Sequence, residues 1–353
     1  MPYINRDFLV LYDSRESLAR VILDILENKY NVKLNSVHRE VCLTDIVYHI
    51  SFFSNAIFLN SLPILISYIE WLKVLFDKIG VPIKQVVMVF ELLEVEAKKL
   101  IPEEKHERLE NFINIALEEL GKPVRREPES FLKEDSPFYH EAKLYLSNLL
   151  DGKREEAIRV IYGICERGVS LRDIYLKVFE PVLKEVGRLW QMRQITVVHE
   201  HYATAVTQFV MSLLYEKFLT SYERKGTRPV FVGCTTKGEK HSIGLRMVTD
   251  LLDLEGFNTY YIGSEIHEDD FIRFVEEVNP QIIGIGVTLG FNLKNLVSLL
   301  EKLRVYRSSR GIKIICGGYP FITAEDLGRM LDIDGYATNA GQAVELARNL
   351  IYE

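Results

Sequence analysis

A histidine in the segment 234–244 is the residue of this chain best suited to chemistry. The segment follows an apolar run that predicts a strand and precedes apolar residues at helical spacing, so it is a strand-to-helix crossing. His241 lies two residues after Glu239 and three before Gly244. A carboxylate at this distance can hold one ring N–H while the other ring nitrogen binds a metal. A histidine in a loop is, taken alone, more often simply solvated.

Two other uses of this loop are excluded by its residues. Gly233 and Gly238 have the spacing of a phosphate-binding P-loop. Glu239 stands where that loop needs a lysine, however, so a phosphate would meet a carboxylate. The three glycines of a dinucleotide-binding turn are also missing.

Two further turns follow strands of the same region. Gly286 and Thr288 come after the third predicted strand, where a small residue and a hydroxyl allow a ligand to approach closely. Gly317 and Gly318 come after the fourth, where paired glycines allow backbone contact with a flat or bulky group. Each turn alone is also typical of an ordinary tight turn. The order of the three motifs along the chain is the specific signal.

Composition predicts a packed protein of two or three domains, since 48% of the 353 residues are hydrophobic and 26% are charged. The net charge of -7 disfavours a nucleic-acid binder. The first residues lack a signal-peptide pattern, and the most apolar stretch, 56–69, contains Asn60 and Pro63. We therefore expect a cytoplasmic protein without a membrane span. The cysteines lack C-x-x-C spacing and are expected to be reduced core thiols: Cys42, Cys165, Cys234 and Cys316.

Apolar spacing predicts a multidomain α and α/β protein with three parts. Residues 1–121 form an all-helical signalling or association module without a DNA-reading helix-turn-helix, and Ser14 caps its first helix. The predicted helices of this module are 15–30, 36–50, 53–80, 84–100 and 103–120. Charged linkers are expected at 122–136 and 220–228.

The second part, 137–219, is predicted to be an antiparallel four-helix bundle. It begins at Ser136-Pro137, and its third helix, 171–190, is expected to kink near Pro181. The third part, 229–353, is predicted to be a flavodoxin-like (Rossmann-like) domain with a five-stranded parallel sheet. Its predicted strands are 229–234, 258–262, 281–287, 312–316 and 334–337.

The ordered motifs of the third part resemble those of the cobalamin-binding domain of methionine synthase, the corrinoid methyl carriers and the adenosylcobalamin mutases. That family has D-x-H-x-x-G, then S-x-T or S-x-L, then GG; this chain has Glu239 for the aspartate and Gly286 for the serine. The resemblance implies that His241 replaces the dimethylbenzimidazole base as the lower cobalt ligand and that Glu239 orients it. It also implies a nucleotide tail that passes Gly286, Thr288, Gly317 and Gly318.

The bundle contains a second resemblance, to the adenosylcobalamin photoreceptors of the CarH type. Trp190, Val197, Glu200 and His201 have the spacing of the residues that cover the 5′-deoxyadenosyl group there. An indole offers a flat apolar wall, and a carboxylate with an imidazole can bond ribose and adenine. The alternative is that Trp190 is plain core and that Glu200 and His201 form a solvated helix turn.

Two residues near this motif limit the interpretation. His199-Glu200 begins an H-E-x-x-H pattern, but Ala203 stands in place of the second histidine, which excludes a zinc protease. Gln191 follows Trp190 where the photoreceptors have a histidine, so we expect no bis-histidine cobalt after photolysis unless His199 or His201 moves in.

The predicted function is therefore a cytoplasmic adenosylcobalamin light sensor and not an enzyme. Light removes the adenosyl group, the bundle and the sheet domain rearrange, and residues 1–121 transmit the signal by self-association or by binding a signalling protein. Neither nucleic acid nor a membrane is an expected partner. The alternatives are a corrinoid methyl carrier that serves a methyltransferase and a light-independent cobalamin sensor.

Overall fold

The structure, a computed structural model, describes residues 4–30, 35–124, 127–219 and 228–352. The chain divides into two compact units. The helical unit contains residues 1–126 together with the later segments 289–297 and 319–332, and the sheet unit contains the remainder. Residues 220–227 of the predicted second linker lie outside the described residues, as do residues 125 and 126 of the first. The three-part division of the chain stays a prediction.

The regular elements that the structure describes in the N-terminal part of the helical unit are all helices. Apolar residues such as Phe53, Phe58 and Phe90 form its core and are fully buried. Its helices are α1 (Leu9–Asp13), α2 (Arg15–Lys29), α3 (Ser36–Phe58), α4 (Leu62–Ile79), α5 (Ile83–Ala97) and α6 (His106–Gly121).

Two details of the predicted helices are wrong. The expected break between 50 and 53 does not occur, because α3 is continuous to Phe58 and the chain turns at Asn60, whose φ is 52°. Asparagine is one of the few residues that adopt this left-handed conformation readily. Ser14 lies directly before α2, but its side chain makes no capping hydrogen bond; its carbonyl accepts one from the Ser17 hydroxyl.

Helix α3 is also the helix, among the described residues, that has the length and composition of a membrane span. In its most apolar window, 56% of the residues are buried inside the protein. A core helix meets the same criteria, so this feature is weak evidence for a membrane.

The bundle of the sheet unit begins two residues later than predicted, since Phe138 rather than Ser136 precedes its first helix. The expected kink near Pro181 is a widened π-helical stretch, Tyr175–Phe179, directly before the helix that contains the proline. Proline lacks an N–H and its ring crowds the carbonyl four residues earlier, which the wider turn relieves. The α-helices are α7 (Tyr139–Leu150), α8 (Arg154–Glu166), α9 (Leu171–Ile174), α10 (Glu180–Gln191) and α11 (Val197–Leu219).

The five-stranded parallel sheet confirms the predicted fold class, and every strand end lies within one residue of its predicted position. The strands are β1 (Val230–Thr235), β2 (Asn258–Gly263), β3 (Ile282–Gly286), β4 (Lys313–Gly317) and β5 (Gly335–Ala337), in the order β2-β1-β3-β4-β5. The helices are α12 (Ile243–Leu254), α13 (Glu268–Val278), α14 (Leu293–Arg310), α15 (Tyr319–Thr323), α16 (Leu327–Met330) and α17 (Ala340–Tyr352). The strand order reverses beside β1, where open sheets of this kind bind ligands.

The bundle and the sheet share one hydrophobic core within the sheet unit. Tyr175 and Phe179 of the bundle belong to the same buried cluster as Phe231 of β1. The Tyr175 hydroxyl donates a hydrogen bond of 2.9 Å to Asp250 on α12, and Arg246 donates to the same carboxylate. A buried polar contact of this kind fixes how the bundle packs on α12, since any slip would take the Tyr175 donor away from the buried carboxylate.

The cysteines are all free, as expected, and Cys165, Cys234 and Cys316 are buried. Cys42 is only half-buried and is therefore not a core thiol. Burial raises the pKa of the Cys234 and Cys316 thiols, which keeps both neutral.

Candidate functional site

Glu239 and His241 form the centre of the site, in the loop between β1 and α12. The Glu239 side chain is 0% exposed, whereas the His241 side chain is 54% exposed. The Nδ1 of His241 lies 2.6 Å from Oε1 of Glu239, and the His241 backbone N–H donates to the same oxygen at 3.0 Å. The buried carboxylate therefore fixes the ring through Nδ1 and leaves Nε2 as the nitrogen available to a ligand.

Glu239 is held on its other side by the loop that follows β3. The backbone N–H of Thr288 donates to Oε2 of Glu239 at 2.8 Å. Each carboxylate oxygen thus accepts a backbone hydrogen bond, and the chain can keep this charge buried because it is satisfied. The glutamate in place of the family's aspartate is one methylene longer, and it still makes the hydrogen bond to the histidine.

Backbone hydrogen bonds bring the ends of three strands together around this couple. The N–H of Thr236 donates to the carbonyl of Gly286 at 3.2 Å, and the N–H of Val287 donates to the carbonyl of Gly317 at 2.9 Å. The loops after β1, β3 and β4 therefore form one continuous edge. The predicted residues that this edge brings together are Glu239, His241, Gly286, Thr288, Gly317 and Gly318.

The hydrogen bond to Glu239 raises the pKa of His241, and the charge of Glu200 on the bundle adds to this effect; burial opposes it. Glu200, at the start of α11, thus contributes to the electrostatics of the loop after β1. A more basic imidazole is also a stronger ligand for a metal ion.

Glycines shape the space beside the histidine. A Cβ at Gly286 would lie 3.4 Å from the nearest atom of Thr235, which is ordinary contact, and a Cβ at Gly244 would meet nothing within 4 Å. Gly244 thus borders open space, and Gly286 leaves room for a methyl group. Gly318 is different, because its φ is 122° and a Cβ would lie 1.8 Å from the Val287 carbonyl oxygen. Only glycine fits this turn.

The hydroxyl of Thr236 is a feature of the site that the sequence analysis missed. Thr236 is fully buried in the loop after β1, and its Oγ1 has no hydrogen-bond partner within the described part of the chain. Buried hydroxyls are rarely left unpaired. The available signal was a second hydroxyl residue directly after the strand, two positions beyond Cys234.

The predicted cap residues lie at the turn between α10 and α11. Trp190 is half-buried near the end of α10, and Val197, the first residue of α11, is exposed. The carboxylate of Glu200 accepts from the Thr204 hydroxyl at 3.0 Å and lies 2.5 Å from Nδ1 of His201. This contact links the Glu200 and His201 side chains at the start of α11.

Two neighbouring residues are engaged elsewhere. The Gln191 side chain is buried, and Nδ1 of His199 lies 2.8 Å from the Thr196 hydroxyl at the start of α11. A new cobalt ligand from either residue would require these arrangements to break.

A cavity of about 560 Å³ lies elsewhere on the bundle, between the α7–α8 turn and α11. It is lined by Tyr202, Val206 and Phe209, which project from the opposite side of α11 to Glu200. It contains none of the predicted site residues.

The site offers one protein ligand, which fits a metal whose other ligands come from a bound cofactor. Within the described ranges, no group of three or more His, Cys, Asp or Glu side chains could hold a metal ion. A metal at Nε2 of His241 would need its other ligands from a bound group, as cobalt in a corrin ring has. The open space at Gly244, the methyl-sized room at Gly286 and the unpaired Thr236 hydroxyl are features that such a group would use.

Comparison with protein families gives two matches. Residues 229–345 match a B12 binding domain, and residues 142–215 match a second B12 binding domain. The matched ranges correspond to the sheet and the bundle. The helices before residue 142 belong to neither range.

Curated relatives agree with these matches. A dimethylamine corrinoid protein of Methanosarcina barkeri is 30% identical over 171 residues, which are 48% of this chain and 78% of the relative. Dimethylamine corrinoid protein 3 of Methanosarcina acetivorans is 27% identical over 183 residues, 52% of this chain and 84% of the relative.

Among solved structures, the Methanosarcina barkeri monomethylamine corrinoid protein superposes with a TM-score of 0.53. The match covers 60% of this chain and 99% of that chain at 16% sequence identity. At this identity the likeness shows the fold alone.

Proposed function

The chain belongs to the family of B12-binding corrinoid proteins, and we propose that it is a corrinoid methyl carrier in which His241 is the lower ligand of cobalt. One observation carries the proposal: a half-exposed imidazole whose Nδ1 is fixed by the buried Glu239 carboxylate. When bound, the cobalt of the corrin supplies the centre that accepts and gives up a methyl group. The residues of this chain bind that centre and set its lower ligand.

The contacts of each residue indicate its role in binding the cofactor. Glu239 keeps the proton on Nδ1 of His241, so that the neutral ring presents the lone pair of Nε2. Thr288 fixes Glu239 through its backbone N–H. Gly286 and Gly244 leave room for the bulk of the cofactor, and the Thr236 hydroxyl is a candidate partner for one of its polar groups.

The start of α11 supports a carrier that exchanges its methyl group with a separate methyltransferase. Val198 is 71% exposed, and Val197 and His201 are also exposed. These exposed residues beside Glu200 give a partner enzyme a place to approach. The names of the relatives, which are methylamine corrinoid proteins, support the same function.

The lower ligand is tested by titrating the protein with hydroxocobalamin and recording absorption spectra. We expect uptake in the base-off form with a histidine on cobalt, and its loss in the His241→Ala variant. After reduction to divalent cobalt, electron paramagnetic resonance should detect one axial nitrogen in the wild type and none from the protein in the variant. His267→Ala, which changes an exposed histidine of the same domain, is the matched control. An unchanged spectrum in His241→Ala would refute the assignment.

A second function, adenosylcobalamin light sensing, is favoured by the spacing of Trp190, Val197, Glu200 and His201. In that case these residues would cover the adenosyl group, and illumination would change the arrangement or association of the protein. Without a response to light, the same set would serve a light-independent cobalamin sensor.

Ligand preference separates these functions. A carrier is expected to bind methylcobalamin at least as tightly as adenosylcobalamin and to elute identically from a size-exclusion column before and after green light. A clear preference for adenosylcobalamin that Trp190→Ala abolishes, together with a shift in elution on illumination, would favour the light sensor. The same preference without the shift would favour the dark sensor.

A further inference from the structure

Two loops that continue directly from the site belong to the helical unit. Segment 289–297 follows Thr288, and segment 319–332 follows Gly318, yet both pack with the N-terminal helices. The chain therefore passes from a residue that bonds Glu239 into the helical unit within a single peptide step. The contacts that hold segment 289–297 show how firmly it is fixed there.

Asn55 on α3 is the main contact of this segment. Its side chain is buried, with the residue only 1% exposed. Its Nδ2 donates to the carbonyl of Phe291 at 3.0 Å, and its Oδ1 accepts from the backbone N–H of Lys294 at 2.6 Å. Lys294 is the second residue of α14, where backbone N–H groups lack partners within their own helix. Asn55 thus caps α14 from a helix that is 239 residues away in sequence.

Aromatic packing surrounds this polar clamp. The ring of Phe291 lies edge-on to Phe52, with centroids 5.3 Å apart, and Phe52 stacks on Tyr68 at 3.9 Å. A Cβ at Gly290 would lie 3.2 Å from Phe52, so the backbone of the segment lies directly against α3. Edge-on and stacked rings add to the stability of such contacts beyond the area they bury.

An ion pair fixes the same turn from a second helix. The ammonium group of Lys294 bonds the carboxylate of Asp13, and it lies 4.6 Å from the centre of the Tyr12 ring. The segment is therefore held at its backbone, at an aromatic side chain and at a charge.

We infer that Asn55 is a positioning residue for the His241 site, through the loop after β3. Asn55 fixes Phe291 and Lys294, the same loop delivers the N–H of Thr288 to Glu239, and Glu239 orients His241. A group that binds at His241 and favours one position of this loop is then expected to stabilise α3. Because coupling between two sites is reciprocal, a change at Asn55 is expected to alter the affinity for that group. The inference rests on the proposed function only in that His241 binds cobalamin.

The first test replaces Asn55 and measures hydroxocobalamin affinity by absorption. Asn55→Ala removes both hydrogen bonds and is expected to weaken binding about tenfold, within the usual range of couplings between sites. Asn55→Asp keeps an acceptor for Lys294 but turns an oxygen towards the carbonyls of Phe291 and Ser51, so it is not expected to restore binding. Asn28→Ala is the matched control, because Asn28 is exposed on α2 and bonds only a carbonyl of its own helix in the contacts described.

The second test needs no variant. Amide hydrogen exchange of the wild type is compared with and without hydroxocobalamin. Binding is expected to slow exchange in Ser36–Phe58 and in 289–297, and Asn55→Ala should abolish this slowing in α3 while leaving that of the loop after β1. A merely structural role of Asn55 would not make exchange in α3 respond to the ligand.

The outcomes separate the two proposals. If the wild type takes up cobalamin but exchange in α3 does not change, or if Asn55→Ala binds as tightly as the wild type, the inference is wrong and the proposed function stands. If the wild type takes up no cobalamin, the proposed function is wrong and the inference falls with it. Should Asn55→Ala fail to fold, the exchange comparison on the wild type decides alone.

Discussion

Two histidines of this chain sit in opposite surroundings. His49 on α3 is buried, with 4% exposure, and its Nδ1 lies 2.5 Å from the Tyr68 hydroxyl among the rings of Phe76 and Phe90. His241 is half-exposed and bonds a carboxylate. Burial lowers the pKa of His49 to about 4, whereas Glu239 raises that of His241.

The difference shows which feature marks a ligand. A buried imidazole beside a hydroxyl is kept neutral and has no route to a metal, so it serves packing. An imidazole with one nitrogen on a carboxylate and the other towards solvent has a fixed orientation and a free lone pair. The type of partner and the exposure of the second nitrogen therefore distinguish the two roles better than the residue type does.

The largest expected effect is a loss of stability in acid, caused by protonation of His49. Its pKa in the folded chain is about 4, below the ordinary value of 6.5, so the unfolded chain takes up the proton first as the pH falls. The stabilising effect of the neutral ring is fully present above pH 6.5 and is lost towards pH 4, with an expected fall of about 3 kcal/mol in the free energy of unfolding.

This fall is measurable by urea unfolding at pH 7.5 and 4.5. Trp71 lies in the helical unit and Trp190 in the sheet unit, so a Trp190→Phe background isolates the signal of the helical unit. The control is His49→Gln in the same background, which should lose less stability with acid. Equal losses in both proteins would show that other groups cause the effect.

Glu239→Gln is expected to weaken cobalamin binding by about 10- to 100-fold, the usual effect of removing the partner that orients a metal-bound histidine. The amide keeps the size of the side chain but turns one NH₂ group towards a backbone N–H, either that of Thr288 or that of His241. The pKa of His241, measured by NMR in the cobalamin-free protein, should fall. Glu277→Gln, on the exposed face of α13, should change neither quantity.

Tyr68→Phe is expected to have the smallest effect on stability, and it tests whether His49 and His241 are independent. It leaves the Nδ1 of His49 without a partner in the core, which is expected to cost about 1 kcal/mol of helical-unit stability, at the low end for a buried unpaired group. Cobalamin affinity should change less than twofold. Tyr30→Phe, at an exposed tyrosine directly after α2, is the control for loss of a hydroxyl. A large loss of cobalamin binding in Tyr68→Phe would mean that the two histidines are not independent.

The regular elements of the sheet unit could be predicted because their signals are local. Short, mostly apolar runs next to glycine or proline mark the strands, and all five lie within one residue of their predicted ends. The end of α3 was harder to predict from the sequence. A helix can continue through Ser51 when that hydroxyl bonds the carbonyl of Val47, so a polar residue there does not end it.

The parts of the site that side chains form could be predicted from the sequence, whereas the contacts that backbone groups make could not. Glu239 and His241 are two residues apart, and their types alone predict the couple. Thr288 was chosen for its hydroxyl, but its described contact with Glu239 uses the backbone N–H, which every residue except proline has. Asn55 gives no sequence signal at all, because its partners lie more than 230 residues later.

That last separation also bears on how the protein is made. The helical unit is discontinuous, since it takes in segments 289–297 and 319–332 as well as the first 126 residues. During synthesis, α3 and α4 emerge long before the segments that complete their packing. The apolar side chains around Phe52 therefore stay exposed to solvent while more than 200 further residues are translated. Chaperones protect folding intermediates that expose apolar surface in this way. For the same reason, residues 1–121 cannot be cut out or transplanted as an independent domain without leaving an apolar face bare.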